Sequence, residues 1–395
     1  MMDRWAVGAV GPDGLGGVAD VAEAQLDLVE MRYLSVPIGI RSFRLPNGHR
    51  TPTDLPALVI RLTDGAGAQG FSLLWFQQPS QVTLVGAGLR YLGGEMTTGI
   101  RDLAGLDRAF DAATRFIGEH GVAAFAASGL RMAFEDLICR RRRVSLADLV
   151  GRRRDRVGVY RTGLMLQSSI DELVQEAEAG YAEGFRAMKM LVGKPDLEED
   201  VDRIQAVRGC LPADVVLMVD ALQGWDGAET ALRAAERFES FGLKWIEDPL
   251  RQQDVSGYRE LAQRSPVPIA TGETLFDQPD IEELVEAGVP YIVGEPERVG
   301  GLRAWMRTAD RVRESGATML PHLYPHVSVQ MLATLRQDEV WLEYVPWFDH
   351  LAVEKLSFGE DGTIGVDAGP GAGFTPCPDA LDRMAGGPWI RIDGR

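Results

Sequence analysis

The chain has 395 residues, 45% of them hydrophobic and 25% charged, the make-up of an ordinary globular protein with room for two domains or for one barrel and an added lobe. Its 41 basic against 58 acidic residues give a net charge of −17, which argues against nucleic acid and anionic membrane surfaces as partners. No stretch reaches the roughly 18 to 20 apolar residues of a membrane span, and the three cysteines, Cys139, Cys210 and Cys377, lack metal or redox spacing, so a soluble cytoplasmic protein is expected.

Residues 1–24 are rich in Gly and Ala without periodicity, and Gly8, Gly11, Pro12 and Asp13 break any signal-peptide core, so they are expected to form a flexible extension. From Leu26 to Val36 and from Leu55 to Thr63 the residues alternate or run apolar, and QGFSLLWF follows the turn TDGAGAQG. This pattern predicts a small antiparallel sheet with a hairpin. Between its first two strands lies IGIRSFRLPNGHRTPTD, a loop long enough to be functional, in which Arg41, Arg44, His49 and Arg50 are candidates to read a substrate's distal end. Helical patterns follow over residues 103–119 and 122–142, the second apolar at Phe125, Leu130, Phe134, Leu137 and Ile138. The arginine clusters at 140–143 and 152–156 are expected to be solvated or ion-paired structural charges.

After Val157 strands and helices alternate strictly. The strands VGVYRT, AMKMLV, VVLMVD, LKWIED, PIATGE, PYIVGE, TMLPHL and WLEYV are separated by helical segments at about two dozen residues per unit, which reads as a β/α barrel. An open doubly wound sheet is the rival, but no Gly-rich phosphate fingerprint follows any strand, and ionisable residues end nearly every one. After Pro346, FGEDGTIGVDAGPGAGF reads as turns and short strands returning to the first lobe.

Three successive barrel strands end on carboxylates, Asp220, Glu247 and Glu273. Parallel strands bring such ends to one face. Converging carboxylates are costly without a hard cation between them, and Mg²⁺ is the common choice where positions stay open for substrate and water. Lys189 lies on the same face, where it can bind a substrate carboxylate or act as a base. His322 and Glu295 end adjacent strands, so the carboxylate can orient the imidazole for acid/base work, with His326 as a weaker alternative. Glu343 ends the last strand and could support a developing oxyanion if protonated, and Tyr160 on the first strand is a further substrate-binding candidate. Together these parts suit abstraction of a proton beside a carboxylate, where the enediolate charge must be neutralised as it forms.

The lobe-plus-barrel order, the Asp220, Glu247 and Glu273 triad, GFRAMKM, ERVGGLRAW and the terminal GPGAGF resemble the enolase superfamily over about residues 26–384. The His322 and Glu295 pair resembles its mandelate racemase subgroup. The resemblance implies an α+β capping lobe (residues 25–155) over a modified (β/α)7β barrel (residues 156–345), with residues 346–395 returning to the lobe, in a homo-oligomer, dimer to octamer. It further implies Asp220, Glu247 and Glu273 as ligands of one Mg²⁺ per subunit, His322 as general base or acid oriented by Glu295, and Glu343 near the substrate carboxylate.

The departures redirect the reaction. The subgroup's usual Lys-x-Lys stands here as Lys189, Met190, Leu191, Glu295 replaces the more usual Asp, and Leu222 stands where an Asn is familiar. A two-base racemase needs a proton donor on each face, and Leu191 cannot be one. Dehydration needs only one, because the imidazolium that received the α-proton can protonate the leaving hydroxyl. The expected activity is therefore Mg²⁺-dependent dehydration of an acid sugar, with racemase, epimerase or lactone cycloisomerase behind it and a metal-binding relative without activity as the non-enzymatic alternative.

Overall fold

A computed structural model describes residues 26–45, 50–96, 100, 102–118, 120–276 and 278–392. The expected N-terminal extension lies outside these residues, and so does His49.

The capping lobe opens with the antiparallel strands β1 (Leu26–Pro37), β2 (Asp54–Asp64) and β3 (Gln69–Trp75). Three helices follow, α1 (Pro79–Met96), α2 (Leu103–Thr114) and α3 (Val122–Arg142), then the short α4 (Leu146–Val150). α3 is buried from Ala124 to Cys139 except at Arg131, including Glu135 and Asp136. It packs on β3 so closely that a Cβ on Gly70 would lie 2.3 Å from the Ala133 carbonyl oxygen.

Eight parallel strands form the second unit: β4 (Arg156–Gly163), β5 (Ala187–Leu191), β6 (Val216–Asp220), β7 (Ile246–Glu247), β8 (Ile269–Thr271), β9 (Tyr291–Gly294), β10 (Thr318–Pro321) and β11 (Trp341–Tyr344). The helices between them are α5 (Ile170–Ala182), α6 (Leu197–Cys210), α7 (Ala228–Phe238), α8 (Val255–Arg264), α9 (Gln278–Glu286), α10 (Leu302–Glu314) and α11 (Pro325–Leu332). Hydrogen-bonded pairing runs from β10 in order down to β4, and β11 joins β4 in parallel.

Side chains show that this sheet curls into a barrel. Tyr160, Ala187, Met218, Trp245, Ala270, Val293 and Leu320 form one buried cluster, drawn from β4 through β10. The Tyr160 and Trp245 rings meet edge to face at 5.7 Å. Three strand spacings of about 4.8 Å would hold them roughly 14 Å apart in an open sheet. The barrel interior is thus a packed layer and the site must lie above it.

The C-terminal segment departs in part from expectation. Its strands β12 (Ser357–Phe358) and β13 (Thr363–Gly365) form a hairpin, and β13 pairs antiparallel with barrel strand β4 instead of returning to the lobe. The return comes later. The Asp136 carboxylate accepts the Ala372 N–H at 2.7 Å, α12 (Pro378–Met384) follows, and β14 (Ile390–Arg391) pairs with β1. The arginine clusters serve the fold as expected: Arg140 pairs with Asp136, Arg141 with Asp64 and Arg152 with Asp148.

Candidate active site

Backbone strain marks one face of the barrel. Of seven non-glycine residues with positive φ among the described residues, Leu164, Leu222, Gln223, Asp248, Leu323 and Tyr324 follow directly on the ends of β4, β6, β7 and β10. Such conformations cost energy and persist where the surroundings enforce them. This is the face on which the acidic strand ends lie.

Lys189, in the middle of β5, is the centre of the cluster and is only 1% exposed. Its Nζ lies 2.6 Å from Glu247 Oε1, 2.9 Å from Glu343 Oε1 and 3.3 Å from Asp220 Oδ2. Burial opposes its charge, but the carboxylates of Glu247 and Glu343 outweigh burial and hold it well above the ordinary lysine range. Lys189 is therefore held as a cation by these carboxylates. The remaining oxygens are also fixed: the Trp245 indole donates to Glu247 Oε2 at 3.0 Å, and the Leu222 N–H donates to Asp220 Oδ1 at 2.8 Å.

Glu273 lies beyond the end of β8 and turns toward His322, with Oε2 at 3.3 Å from Nε2. Burial pushes the carboxyls of Glu247 and Glu273 up to about 8, and that of neighbouring Asp248 to about 7. Among the described residues these side chains are not gathered into a ready three-ligand cage. By donor chemistry they fit a divalent cation: hard oxygens on adjacent strand ends, Asp220 and Glu247 buried and Glu273 partly buried, with too little positive charge, two of them already drawn onto the Lys189 ammonium.

On the opposite side His322 follows β10 and is 8% exposed. Its Nδ1 lies 2.6 Å from Glu295 Oε1, while Nε2 faces Glu273 and lies 3.6 Å from Glu343 Oε2. Burial opposes the imidazolium, but Glu343, Glu273 and Glu295 together push it up to about 10. Glu295 is itself held from behind, where Arg298 Nε donates to its Oε2 at 2.5 Å. Burial works against ionisation of Glu295, but Arg298 and His322 prevail and bring it down to about 2.

Glu343 accepts from Thr162 Oγ1 at 2.6 Å and from the Leu323 N–H at 3.3 Å. Against its burial, Lys189 and His322 lower its pKa, which favours the carboxylate over the protonated form that could donate to an oxyanion. Tyr160 does not reach the mouth. It lies fully buried in the barrel layer, its ring 5.6 Å from Lys189 Nζ. Arg41 is exposed and pairs with Glu172 at 3.0 Å, apart from the carboxylates. His326 is buried but has no hydrogen bond or ion pair with the strand-end carboxylates among the described residues.

Two residues escaped the sequence reading. Glu297 is fully buried beside Glu295 and Tyr324, and burial and the neighbouring Glu295 raise its carboxyl well above the usual range. Arg298 fixes Glu295. Both stand in the run after PYIVGE, where a second acid and a base in an otherwise apolar stretch are the available signal.

The two leucines that break the family pattern lie in one apolar region. Leu191 is buried in a cluster with Phe43 and Leu166, and Leu222 packs against that cluster together with Ile40, Leu45 and Met165. The capping-lobe loop thus reaches the barrel mouth through Phe43. Where a second base is absent, carbon surface takes its place.

A family model described as enolase C-terminal domain-like matches residues 172–380. L-talarate/galactarate dehydratase of Salmonella typhimurium is 34% identical over 261 residues, 66% of this chain and 65% of that protein. The 3,6-anhydro-alpha-L-galactonate cycloisomerase of Streptomyces coelicolor is 29% identical, covering 86% of this chain and 94% of that one. Among solved structures, L-talarate dehydratase from Polaromonas sp. JS666, complexed with Mg and L-glucarate, superposes with a TM-score of 0.81 at 28% identity over 93% of this chain and 99% of that chain.

Proposed function

The chain belongs to the enolase C-terminal domain-like family, and from that premise we propose that it dehydrates an acid sugar by Mg²⁺-dependent abstraction of the proton α to a carboxylate. Asp220, Glu247 and Glu273 would hold the Mg²⁺, which supplies neutralisation of the charge that develops on the substrate carboxylate. The relative from Polaromonas, solved with Mg and L-glucarate, supports both the cation and the substrate class.

The observation that carries the reading is the one-sided arrangement of proton-transfer groups. His322 Nε2 faces the carboxylate cluster while Nδ1 is held by Glu295 at 2.6 Å, and the β5 side presents Leu191. His322 takes the α-proton at Nε2. Glu295 keeps the Nδ1 proton in place and stabilises the imidazolium that results. The same imidazolium then donates to the departing β-hydroxyl, so the α-proton is taken and water is released without a second base. The Lys189 ammonium provides fixed positive charge beside the reacting carboxylate. His322 must begin neutral, and with Glu273 engaged by the cation, one of the three anions that favour its protonated form is offset.

Lactone cycloisomerisation is the second reading, because it too needs one base and a cycloisomerase matches along nearly its whole length. The three free cysteines agree with a reducing cytoplasm.

Incubation with a panel of aldonic and aldaric acids and their lactones, with Mg²⁺ in D₂O, tests the proposal. Formation of a 2-keto-3-deoxy acid from at least one acid, with solvent deuterium entering the product, is expected. Neither turnover nor deuterium incorporation from any member, with Mg²⁺ still bound, would leave only a metal-binding relative.

A further inference from the structure

Outside the barrel mouth, α2 and α3 of the lobe and the start of α10 enclose a cleft of about 290 Å³. That is room for a small organic molecule and not merely for one water. Seven charged side chains line it: Asp107, Asp111, Arg131, Glu135, Arg298, Arg303 and Arg307.

Most of these are already matched. Arg131 pairs with Asp107 at 2.7 Å and Arg298 with Glu295 at 2.5 Å. Glu135 accepts the N–H groups of Leu302 and Arg303 at 2.9 and 3.1 Å, closing the first turn of α10. What remains is Arg303 and Arg307, one turn apart on α10, neither with an ion-pair partner among the described residues; facing them are Asp111, exposed on the rim, and Glu135, whose carboxyl burial raises although the N–H groups of Leu302 and Arg303 and the charges of both arginines oppose the rise. Like charges at this spacing repel. Burial and the neighbouring Arg303 lower the Arg307 pKa, and the charges of Glu135 and Asp107 oppose the shift without cancelling it.

Two buried polar atoms add an independent sign. Arg303 Nε and Ser128 Oγ are both shielded from solvent without a hydrogen-bond partner, and Ser128 is 0% exposed. Both residues line the cleft. Buried donors left unpaired are rare because they lose hydration without compensation.

We propose that this cleft binds a small oxyanion, the carboxylate or phosphoryl group of a metabolite, on the guanidinium groups of Arg303 and Arg307 and the hydroxyl of Ser128. The planar guanidinium fork matches the paired oxygens of such groups. The site is separate from the strand-end carboxylates. Arg298 is the wall between them, with Glu295 on its far side.

Calorimetric titration of the full-length, Mg²⁺-loaded protein with sodium sulfate, and separately with sodium malonate, tests this against sodium chloride of equal ionic strength. Saturable binding of at least one anion is expected, weakened tenfold or more in R303Q/R307Q and less in S128A. Sulfate alone binding assigns the phosphoryl type, and malonate alone the carboxylate type. No saturable heat from either anion, or binding unchanged in R303Q/R307Q, would overturn the proposal. R307Q, on an exposed side chain, keeps the test usable should the double variant misfold. A change in subunit number on sedimentation of R307Q would assign the arginines to a subunit contact and also overturn it.

Discussion

His322 is oriented by Glu295, and Glu295 is held by Arg298, so substitutions along this line should act with graded severity. Replacing His322 with Asn removes the group that moves the proton and leaves the three proposed Mg²⁺ ligands in place. Turnover and α-proton exchange should fall by at least about 10³-fold while Mg²⁺ affinity, read by titration calorimetry, changes little. Full activity in H322N would move the base elsewhere. Glu295→Gln keeps the shape and loses the charge, and by analogy with residues that orient a metal's ligands it should cost about 10- to 100-fold in kcat with KM nearly unchanged. Leu191 is a packing residue on the opposite face. Leu191→Ala should cost about 2 to 5 kcal/mol in urea unfolding, because the space it vacates beside Phe43 and Leu166 is lined by carbon.

Elements whose signal is local were legible in the sequence, and those that depend on distant partners were not. The barrel strands could be read because each is a short apolar run ending on a charged residue, and Asp220, Glu247 and Glu295 stand at or next to those ends. α1 gave no comparable pattern, since Gly86, Gly88, Gly93 and Gly94 fall inside it and glycine weakens a helix. Contact explains two of them: a Cβ on Gly86 would lie 2.1 Å from the Tyr33 hydroxyl, and one on Gly93 would lie 2.4 Å from the Ile392 carbonyl oxygen. The cluster of Phe43, Leu166 and Leu191, with Leu222 against it, was hidden for the same reason, its members being far apart in the chain. The lobe's attachment is a tertiary feature of this kind. Asp136 on α3 accepts the N–H groups of Phe71 on β3 and Ala372 in the C-terminal segment, at 2.9 and 2.7 Å, and pairs with Arg140 at 2.6 Å. Burial raises its pKa and those partners oppose the rise. Asp136→Ala would leave Arg140 and two N–H groups without their acceptor, a loss of about 3 to 5 kcal/mol. Denaturant unfolding should show it, and a change below about 1 kcal/mol would mean that the C-terminal segment is anchored by other contacts.

At the scale of the whole molecule, part of the acidic excess stands where burial makes it most costly. Glu247 and Glu273 have carboxyls near pKa 8 in the folded protein without metal, against about 4.3 in an unfolded chain. A group raised on folding binds protons in the folded state. Its contribution to stability is fully present below the unfolded pKa and is lost as pH rises through the folded one. Between about pH 5 and 8 the metal-free protein should therefore lose stability from these two groups. Glu295, brought down to about 2, acts with the opposite sign but only below this window. Mg²⁺ requires the carboxylates ionised, so its binding releases the protons that folding took up, and its affinity should rise over the same range. Thermal unfolding at pH 5, 6, 7 and 8, with and without saturating Mg²⁺, separates the two effects. The metal-free midpoint should fall as pH rises, while the increment given by Mg²⁺ should grow. Glu247→Gln and Glu273→Gln should each flatten the metal-free slope and reduce the Mg²⁺ increment. An increment independent of pH would remove these carboxylates as the cation's ligands, whatever the enzyme's activity.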